Sequence, residues 1–139
     1  MPAPADKRVT PMWLAHHWPE DYDRCVRIGR THVCRRCLVL YPVAIGVAAA
    51  LLAVGLPGWL TAAMVVVLPL PAVVDFVGEH LGHLRPSPRR LLAVTVPLGV
   101  GLGAGFARYL DHLADPVFWG VVAVYGGGCV AAALVGRRR

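Results

Sequence analysis

The stretch HHWPEDYDRCVRIGRTHVCRRCLVLYP, residues 16–42, carries histidine, cysteine and arginine side chains directly into the first long apolar segment. Three of the four cysteines of the chain lie in it, at Cys25, Cys34 and Cys37. A Cys-x-x-Cys pair with a further cysteine and histidines upstream is typical of a thiolate metal site or of thiol redox chemistry. The stretch therefore joins a polar N-terminal segment that holds a candidate site to an apolar remainder.

The composition predicts a membrane protein. Of the 139 residues, 57% are hydrophobic and only 16% are charged, and the mean hydropathy is +0.58. A soluble domain of this size carries roughly a quarter charged residues. The formal net charge of +6 would suit a nucleic acid, but the positive residues stand beside and between apolar runs. We therefore expect no nucleic-acid partner, since such proteins cluster their charge on one soluble face.

Four apolar runs follow the cysteine stretch, at about residues 38–56, 60–77, 91–110 and 117–135. About 20 helical residues cross the ~30 Å hydrocarbon core of a bilayer, so each run is just long enough to span it. The sequence predicts an all-α integral membrane fold with four transmembrane helices. The predicted divisions are an N-terminal Cys/His segment over 1–37, the bundle over 38–135 and a basic tail over 136–139. We expect no secretory signal peptide.

The basic residues predict the orientation of the spans. With four spans both termini share a side, and thirteen of the fourteen lysines and arginines fall on that side, whereas Arg108 alone falls near the other. Positive residues are retained on the cytoplasmic side. We therefore expect a multi-pass protein of the cytoplasmic (bacterial inner) membrane with both termini cytoplasmic. Because the cytosol is reducing, a structural disulfide among the cysteines is disfavoured, which leaves metal binding or reduced thiols.

The cysteine spacing favours Zn²⁺. Two residues between Cys34 and Cys37 let both sulfurs reach one ion at about 2.3 Å, the usual Zn–S distance. Gly29 marks a turn that can bring Cys25 back to the same ion. Together these cysteines would supply three of the four ligands of a tetrahedral site.

A histidine would complete the set. His16 is the predicted fourth ligand and His17 the alternative, whereas nearness to Cys34 restricts the geometry of His32. Two other interpretations stay open: the cysteines pack as small buried side chains, or they form a thiol redox pair. The arginines around them are typical of positive-inside anchors and can also recognise anionic lipid headgroups.

Three ionisable residues spaced four apart follow the prolines of the second apolar run, namely Asp75, Glu79 and His83. This spacing places them on one helical face, and Glu with His at that spacing can bind one metal ion. They are also the candidate catalytic acid, base or second-metal ligands. The alternative is that Glu79 and His83 already lie among lipid headgroups. An aspartate at membrane depth is costly, so we expect Asp75 to pair with a cation such as Arg90 or Arg36.

Prolines and glycines predict irregularities within the spans. Pro69 and Pro71 should kink or break the second helix. Glycines 99, 101, 103 and 105 form two interleaved small-xxx-small patterns in the third, which let backbones approach within one bundle or between copies in a homo-oligomer. The glycine triplet 126–128 should weaken the last helix at a contact or bend.

Two single residues near the span ends also carry predictions. Pro42 is expected in the first turn of the first helix, where proline is tolerated. Arg108 is expected to snorkel outward near Asp111 and Asp115.

These motifs resemble an uncharacterised prokaryotic membrane-protein family, the domain of unknown function 2085. The likeness covers most of the chain and is most specific in C-x-R-C-x-x-x-Y, residues 34–41, with HHWPE upstream. The resemblance places the early histidine of the family on His16 and its Cys-x-x-Cys pair on Cys34 and Cys37. Ala15 stands where many members have cysteine, and Cys25 would take over that ligand position. The resemblance implies the fold and the location of the site, but no reaction.

The leading hypothesis is a small membrane protein whose cytosolic Cys/His module binds zinc in a structural site and contacts partners or anionic lipid. The second is a metal- or thiol-dependent membrane enzyme, including a quinone-linked thiol oxidoreductase. The third is a subunit of an ion or metal transporter, with Asp75 in the pathway. The sequence alone does not decide whether the protein is an enzyme.

Overall fold

The computed structural model of the chain describes residues 25–136. Two strands, β1 (Cys25–Ile28) and β2 (Thr31–Cys34), precede the helices. The helices are α1 (Arg35–Val54), α2 (Gly58–Val67), α3 (Leu70–His80), α4 (Pro88–Asp111), α5 (Pro116–Val121) and α6 (Gly127–Gly136), with a π-helical segment, Val122–Gly126, between the last two. The described residues fall into two compact units, divided between Leu38 and Val39.

The described part of the first unit contains an antiparallel hairpin, so the all-α prediction is wrong for this segment. Strands β1 and β2 pair with Cys25 opposite Cys34 and Ile28 opposite Thr31. Gly29 opens the two-residue loop with φ +62°, which is the position where a type II′ hairpin turn takes glycine. Four-residue strands are too short to reveal themselves by periodicity, although their Val, Ile and Thr content suits a sheet.

The prediction of four spanning helices is confirmed. Among residues 25–136, four helical stretches are long and apolar enough to cross a membrane, namely Arg35–Val54, Gly58–His80, Pro88–Asp111 and Pro116–Gly136. Their lengths run from 20 to 24 residues, which matches a ~30 Å hydrocarbon core. Many of their large apolar side chains are exposed, as suits surfaces that face lipid.

The first helix begins one turn earlier than predicted. Strand β2 ends at Cys34 and α1 starts at the next residue, Arg35. Pro42 consequently lies inside the helix and not in its first turn. A proline at this depth removes one intrahelical hydrogen bond and favours a kink.

The predicted break in the second span is confirmed. Helix α2 ends and α3 begins on either side of residues 68–69, because Pro69 and Pro71 have no N–H to donate to the preceding turn. The Tyr125 hydroxyl donates to the backbone carbonyl of Val66 at 2.7 Å. Backbone polar groups at membrane depth must find partners within the protein. Tyr125 therefore compensates part of the cost of the break.

The glycine triplet follows an irregular segment, as predicted, but makes no close contact. The last span changes to π-helix over Val122–Gly126, a form found as short bulges within helices. A Cβ atom added at Gly126, Gly127 or Gly128 would meet no atom within 4 Å. The triplet thus accompanies a change of helix geometry and does not admit a neighbouring backbone.

The four glycines of α4 bring three helices close to it. An added Cβ at Gly99 would lie 2.9 Å from Val43, and one at Gly103 would lie 2.5 Å from the carbonyl oxygen of Ala44, both in α1. Gly101 faces the backbone of α2, and Gly105 faces Phe118 of α5. The interleaved patterns therefore serve two faces of one helix, and their predicted packing role is confirmed.

Replacing Gly103 with alanine is expected to lower the free energy of unfolding by about 1–3 kcal/mol, because an extra methyl group overpacks a filled interface. The matched control is Gly128→Ala, where the added methyl has open space and alanine favours the helix by up to about 1 kcal/mol. Unfolding of the purified protein in mixed detergent micelles measures both. Equal effects would contradict the assignment of Gly103 to a close helix contact.

Candidate functional site

The three cysteines of the N-terminal stretch lie together. Cys25 and Cys34 face each other across the ends of the hairpin strands, and Cys37 is the third residue of α1. All three are buried and form one cluster, here called the cysteine cluster. The predicted return of Cys25 through a turn at Gly29 is confirmed.

Three histidines bear on the identity of a fourth ligand. His16 and His17 lie outside the described residues. His32 precedes Cys34 by two residues in β2, and alternate residues of a strand share a face of the sheet. The hairpin thus places His32 on the face that carries Cys25 and Cys34, which sequence spacing alone did not reveal.

The donor chemistry of the cluster suits zinc, because thiolates are among its preferred ligands. However, no group of three or more His, Cys, Asp or Glu side chains within residues 25–136 is arranged so that it could hold a metal ion. Burial in one cluster therefore brings the three residues together without completing a site. The zinc set His16, Cys25, Cys34 and Cys37 stays a prediction.

A second group, here called the Arg90 cluster, joins α3 to the start of α4. Arg90 donates through Nε to Asp75 and through Nη2 to Glu79 at 3.0 Å. Nη2 also donates to the backbone carbonyl of Arg85 at 2.7 Å. Asp75 and Glu79 can share one guanidinium because they lie one helical turn apart. The prediction that Asp75 pairs with a nearby arginine is confirmed, and the partner is Arg90.

His83 does not share the helical face of Asp75 and Glu79, so this part of the predicted set is wrong. Helix α3 ends at His80 and is capped at Leu81. The N–H of Gly82 donates to the carbonyl of Glu79, and the N–H of His83 donates to the carbonyl of Gly78. This is the Schellman pattern, with Gly82 at φ +77° in the left-handed position that glycine favours.

The hydrogen bonds of the Arg90 cluster indicate a structural role more directly than a catalytic one. Both carboxylates accept hydrogen bonds from the same guanidinium. The Asp75 side chain is 6% exposed, whereas that of Arg90 is 33% exposed. Arg90 thus neutralises a carboxylate that α3 carries close to the membrane interior, where an unpaired charge is costly.

At the opposite end of α4, Arg108 lies beside Asp115, as predicted, and its side chain is bonded between helix ends. Its Nε and Nη2 donate to the two oxygens of Asp115 at 3.1 and 2.6 Å. Its Nη1 donates to the Gly58 carbonyl and to the Thr61 hydroxyl, both at 2.9 Å. These bonds use four of the five donors of the guanidinium. The side chain remains only 18% exposed because its partners lie on α2 and at the start of α5.

Asp115 pairs with Arg108 and also caps a helix. It accepts a hydrogen bond from the backbone N–H of Phe118 at 2.8 Å and so caps α5. The hydrogen bond from Arg108 lowers the pKa of the Asp115 carboxyl, burial opposes this shift, and the Phe118 N–H adds to it. The sequence signal was present, since aspartate before proline is a common helix start.

A cavity of about 650 Å³ opens beside this ion pair. Besides Arg108 and Asp115, its lining includes Leu51, Leu52, Leu56, Asp111 and His112. Sequence reasoning missed this site, here called the Arg108 cavity, because its residues come from the ends of different helices.

No family model, curated protein or solved structure matches the chain. The resemblance to the domain of unknown function 2085 accordingly stays a prediction.

Proposed function

We propose that the chain is a multi-pass protein of the cytoplasmic membrane whose Cys25, Cys34, Cys37 and one histidine hold a zinc ion. The module so formed serves as a structural or interaction unit at the cytoplasmic face. The observation that carries the proposal is the burial of all three cysteines in one cluster. Buried cysteines also occur as plain packing residues, so the metal must be measured.

The local structure supports thiolate ligands. Cys37 lies in the first turn of α1 and Cys34 ends the preceding strand, and zinc binding at such a pair would displace the thiol protons. A bound zinc ion would supply a fixed cross-link and no redox chemistry. The hairpin and the first helical turn would then be held by one closed site, which leaves an outer surface for partners.

The position of the basic residues supports the cytoplasmic side. Arg35 and Arg36 begin the first spanning helix, Arg85 stands between the second and third, and Arg89 and Arg90 lie in the first turn of the third. Arginines at such positions favour the cytoplasmic leaflet and attract anionic lipid headgroups. The bilayer and its anionic lipids are therefore the proposed partners.

Elemental analysis of the detergent-purified protein tests the metal site. We expect about one zinc per chain, since structural sites bind a single tetrahedral ion, and we expect it to be lost in a Cys34→Ser/Cys37→Ser variant. Cys129→Ser, in the last span, is the matched control and should keep its metal. Native protein without zinc would overturn the proposal, and iron with sulfide would indicate electron transfer instead.

Single substitutions then identify the histidine ligand. Zinc lost in His16→Ala but kept in His32→Ala would support the predicted set, with His17→Ala as the alternative. The reverse result would assign the ligand to the hairpin itself.

The alternative functions draw less support. A thiol enzyme would require the cysteine cluster to react with a substrate, although all three cysteines are buried. A transporter would require Asp75 to exchange ions, although its carboxylate is bonded to Arg90. Absence of zinc together with reversible oxidation of Cys34 and Cys37 would favour the redox alternative.

A further inference from the structure

The Arg108 cavity has the dimensions of a small-molecule site. Its volume of about 650 Å³ falls within the range of about 300–1,000 Å³ that such sites occupy. Its lining combines the apolar side chains of Leu51, Leu52 and Leu56 with the charged groups of Arg108, Asp111 and Asp115. A ligand that fills the cavity must therefore join an apolar part to a polar or charged part.

The charges at the cavity favour a cation. Arg108 and Asp115 form a bidentate pair and neutralise each other. Asp111 adds a second carboxylate to the lining, and His112 stands next to it. One guanidinium against two carboxylates leaves a formal charge of −1 with His112 neutral, in a protein whose overall charge is +6.

The Arg108–Asp115 ion pair also forms a part of the cavity lining that is held in place by several hydrogen bonds. Arg108 is fixed by the Gly58 carbonyl and the Thr61 hydroxyl as well as by Asp115. Its donors are thereby largely used, so an anionic ligand would have to compete with Asp115 for them. Asp111, by contrast, is an exposed carboxylate at the end of α4, where it can accept hydrogen bonds from a ligand.

We propose that the Arg108 cavity binds a protonated alkylamine, with the ammonium group on Asp111 and the alkyl chain along Leu51, Leu52 and Leu56. His112 would accept a further ammonium hydrogen through its imidazole nitrogen. The ligand can come from either of two sources, the amine headgroup of a phospholipid or a soluble amphiphilic amine. This inference does not depend on the cysteine cluster or on zinc.

Binding of decylammonium to the full chain in a non-ionic detergent tests the ligand class. Decyl sulfate and decanol have the same chain with a negative or no charge, and we expect both to bind at least about 10-fold more weakly. This factor corresponds to the loss of one charged hydrogen bond. Equal binding of the three compounds, or no binding of decylammonium, would overturn the proposal.

Substitution of Asp111 tests the position of the ammonium group. We expect Asp111→Asn to weaken decylammonium binding about 10-fold or more and Asp111→Glu to retain most of it. Glu20→Gln, in the N-terminal segment, makes the same change in net charge and should leave binding unaltered. Unchanged affinity in a folded Asp111→Asn variant would contradict the site.

Lipid retention separates the two sources. The protein is reconstituted in nanodiscs of phosphatidylethanolamine and phosphatidylglycerol and then released for native mass spectrometry. Preferential retention of phosphatidylethanolamine, lost in Asp111→Asn, would identify the lipid headgroup as the ligand. Decylammonium binding without such retention would identify a soluble amine, and preferential retention of phosphatidylglycerol through this cavity would overturn the proposal.

Discussion

Replacing Asp75 with asparagine is expected to lower the free energy of unfolding by about 1.5–3 kcal/mol, the usual contribution of a hydrogen bond to a charged group. The substitution keeps the size of the side chain but removes the negative charge that Arg90 faces. The Asp75 side chain is 6% exposed, so the lost hydrogen bond lies where water reaches poorly, whereas Arg90 is 33% exposed and keeps Glu79 as a partner. Unfolding in mixed detergent micelles gives the change.

The second carboxylate of the Arg90 cluster provides the control. Glu79 contacts the same guanidinium at 3.0 Å, but its side chain is 24% exposed. Glu79→Gln should therefore cost about 1 kcal/mol or less, as for exposed pairs. A cost for Asp75→Asn no larger than this would contradict the buried-pair assignment.

A double substitution tests whether the cost reflects the unpaired charge. Arg90→Met alone leaves both carboxylates without the guanidinium that they share, so adding Asp75→Asn to it should recover stability, because the buried unpaired charge is then gone. Loss of ion uptake in a stable Asp75→Asn protein would instead favour the transporter hypothesis.

Replacing Asp115 with asparagine is expected to lower the free energy of unfolding by about 3–5 kcal/mol, since it removes one partner of an ion pair whose two side chains are both largely buried. The guanidinium of Arg108 would lose its bidentate partner while remaining only 18% exposed. Asparagine is as good a helix cap as aspartate, so this variant isolates the charge, whereas Asp115→Ala should cost about 1 kcal/mol more through loss of the cap. Equal stability of the asparagine variant and the native protein would contradict this account.

The lowered pKa of Asp115 predicts that the protein loses stability in acid. The Arg108 hydrogen bond lowers the pKa of Asp115 in the folded protein below the value of about 3.9 expected for an unfolded chain. The stabilisation is therefore fully present above that pH and is lost as the pH falls through the lower folded pKa. Thermal unfolding between about pH 6 and pH 2 should show a steeper decline for the native protein than for Asp115→Asn. Parallel curves would contradict the assignment.

Several features could be read from neighbouring residues in the sequence. The four spans follow from the length and hydropathy of the apolar runs, and the interrupted second span follows from Pro69 and Pro71, because proline acts on its own turn of helix. The spacing of the α4 glycines likewise predicts close helix contacts, since residues four apart share a helical face.

Two other local features of the sequence led to a wrong or a missing prediction. The pattern of Asp75, Glu79 and His83 suggests one helical face only if the helix continues, yet Gly82 ends it. The hairpin was missed because each strand has four residues, too few for alternation to stand out from a polar loop.

The spans and their irregularities follow from the sequence, because they depend on interactions within a few turns of one helix. The pairing of the charges, by contrast, is known only from the packing of the helices. Arg108 bonds to Gly58, fifty residues away, and Asp75 selects Arg90 from α4. Such pairings depend on which helix ends lie side by side, and hydropathy carries no information about that. The Arg108 cavity could therefore not be predicted, since its walls come from separate helix ends.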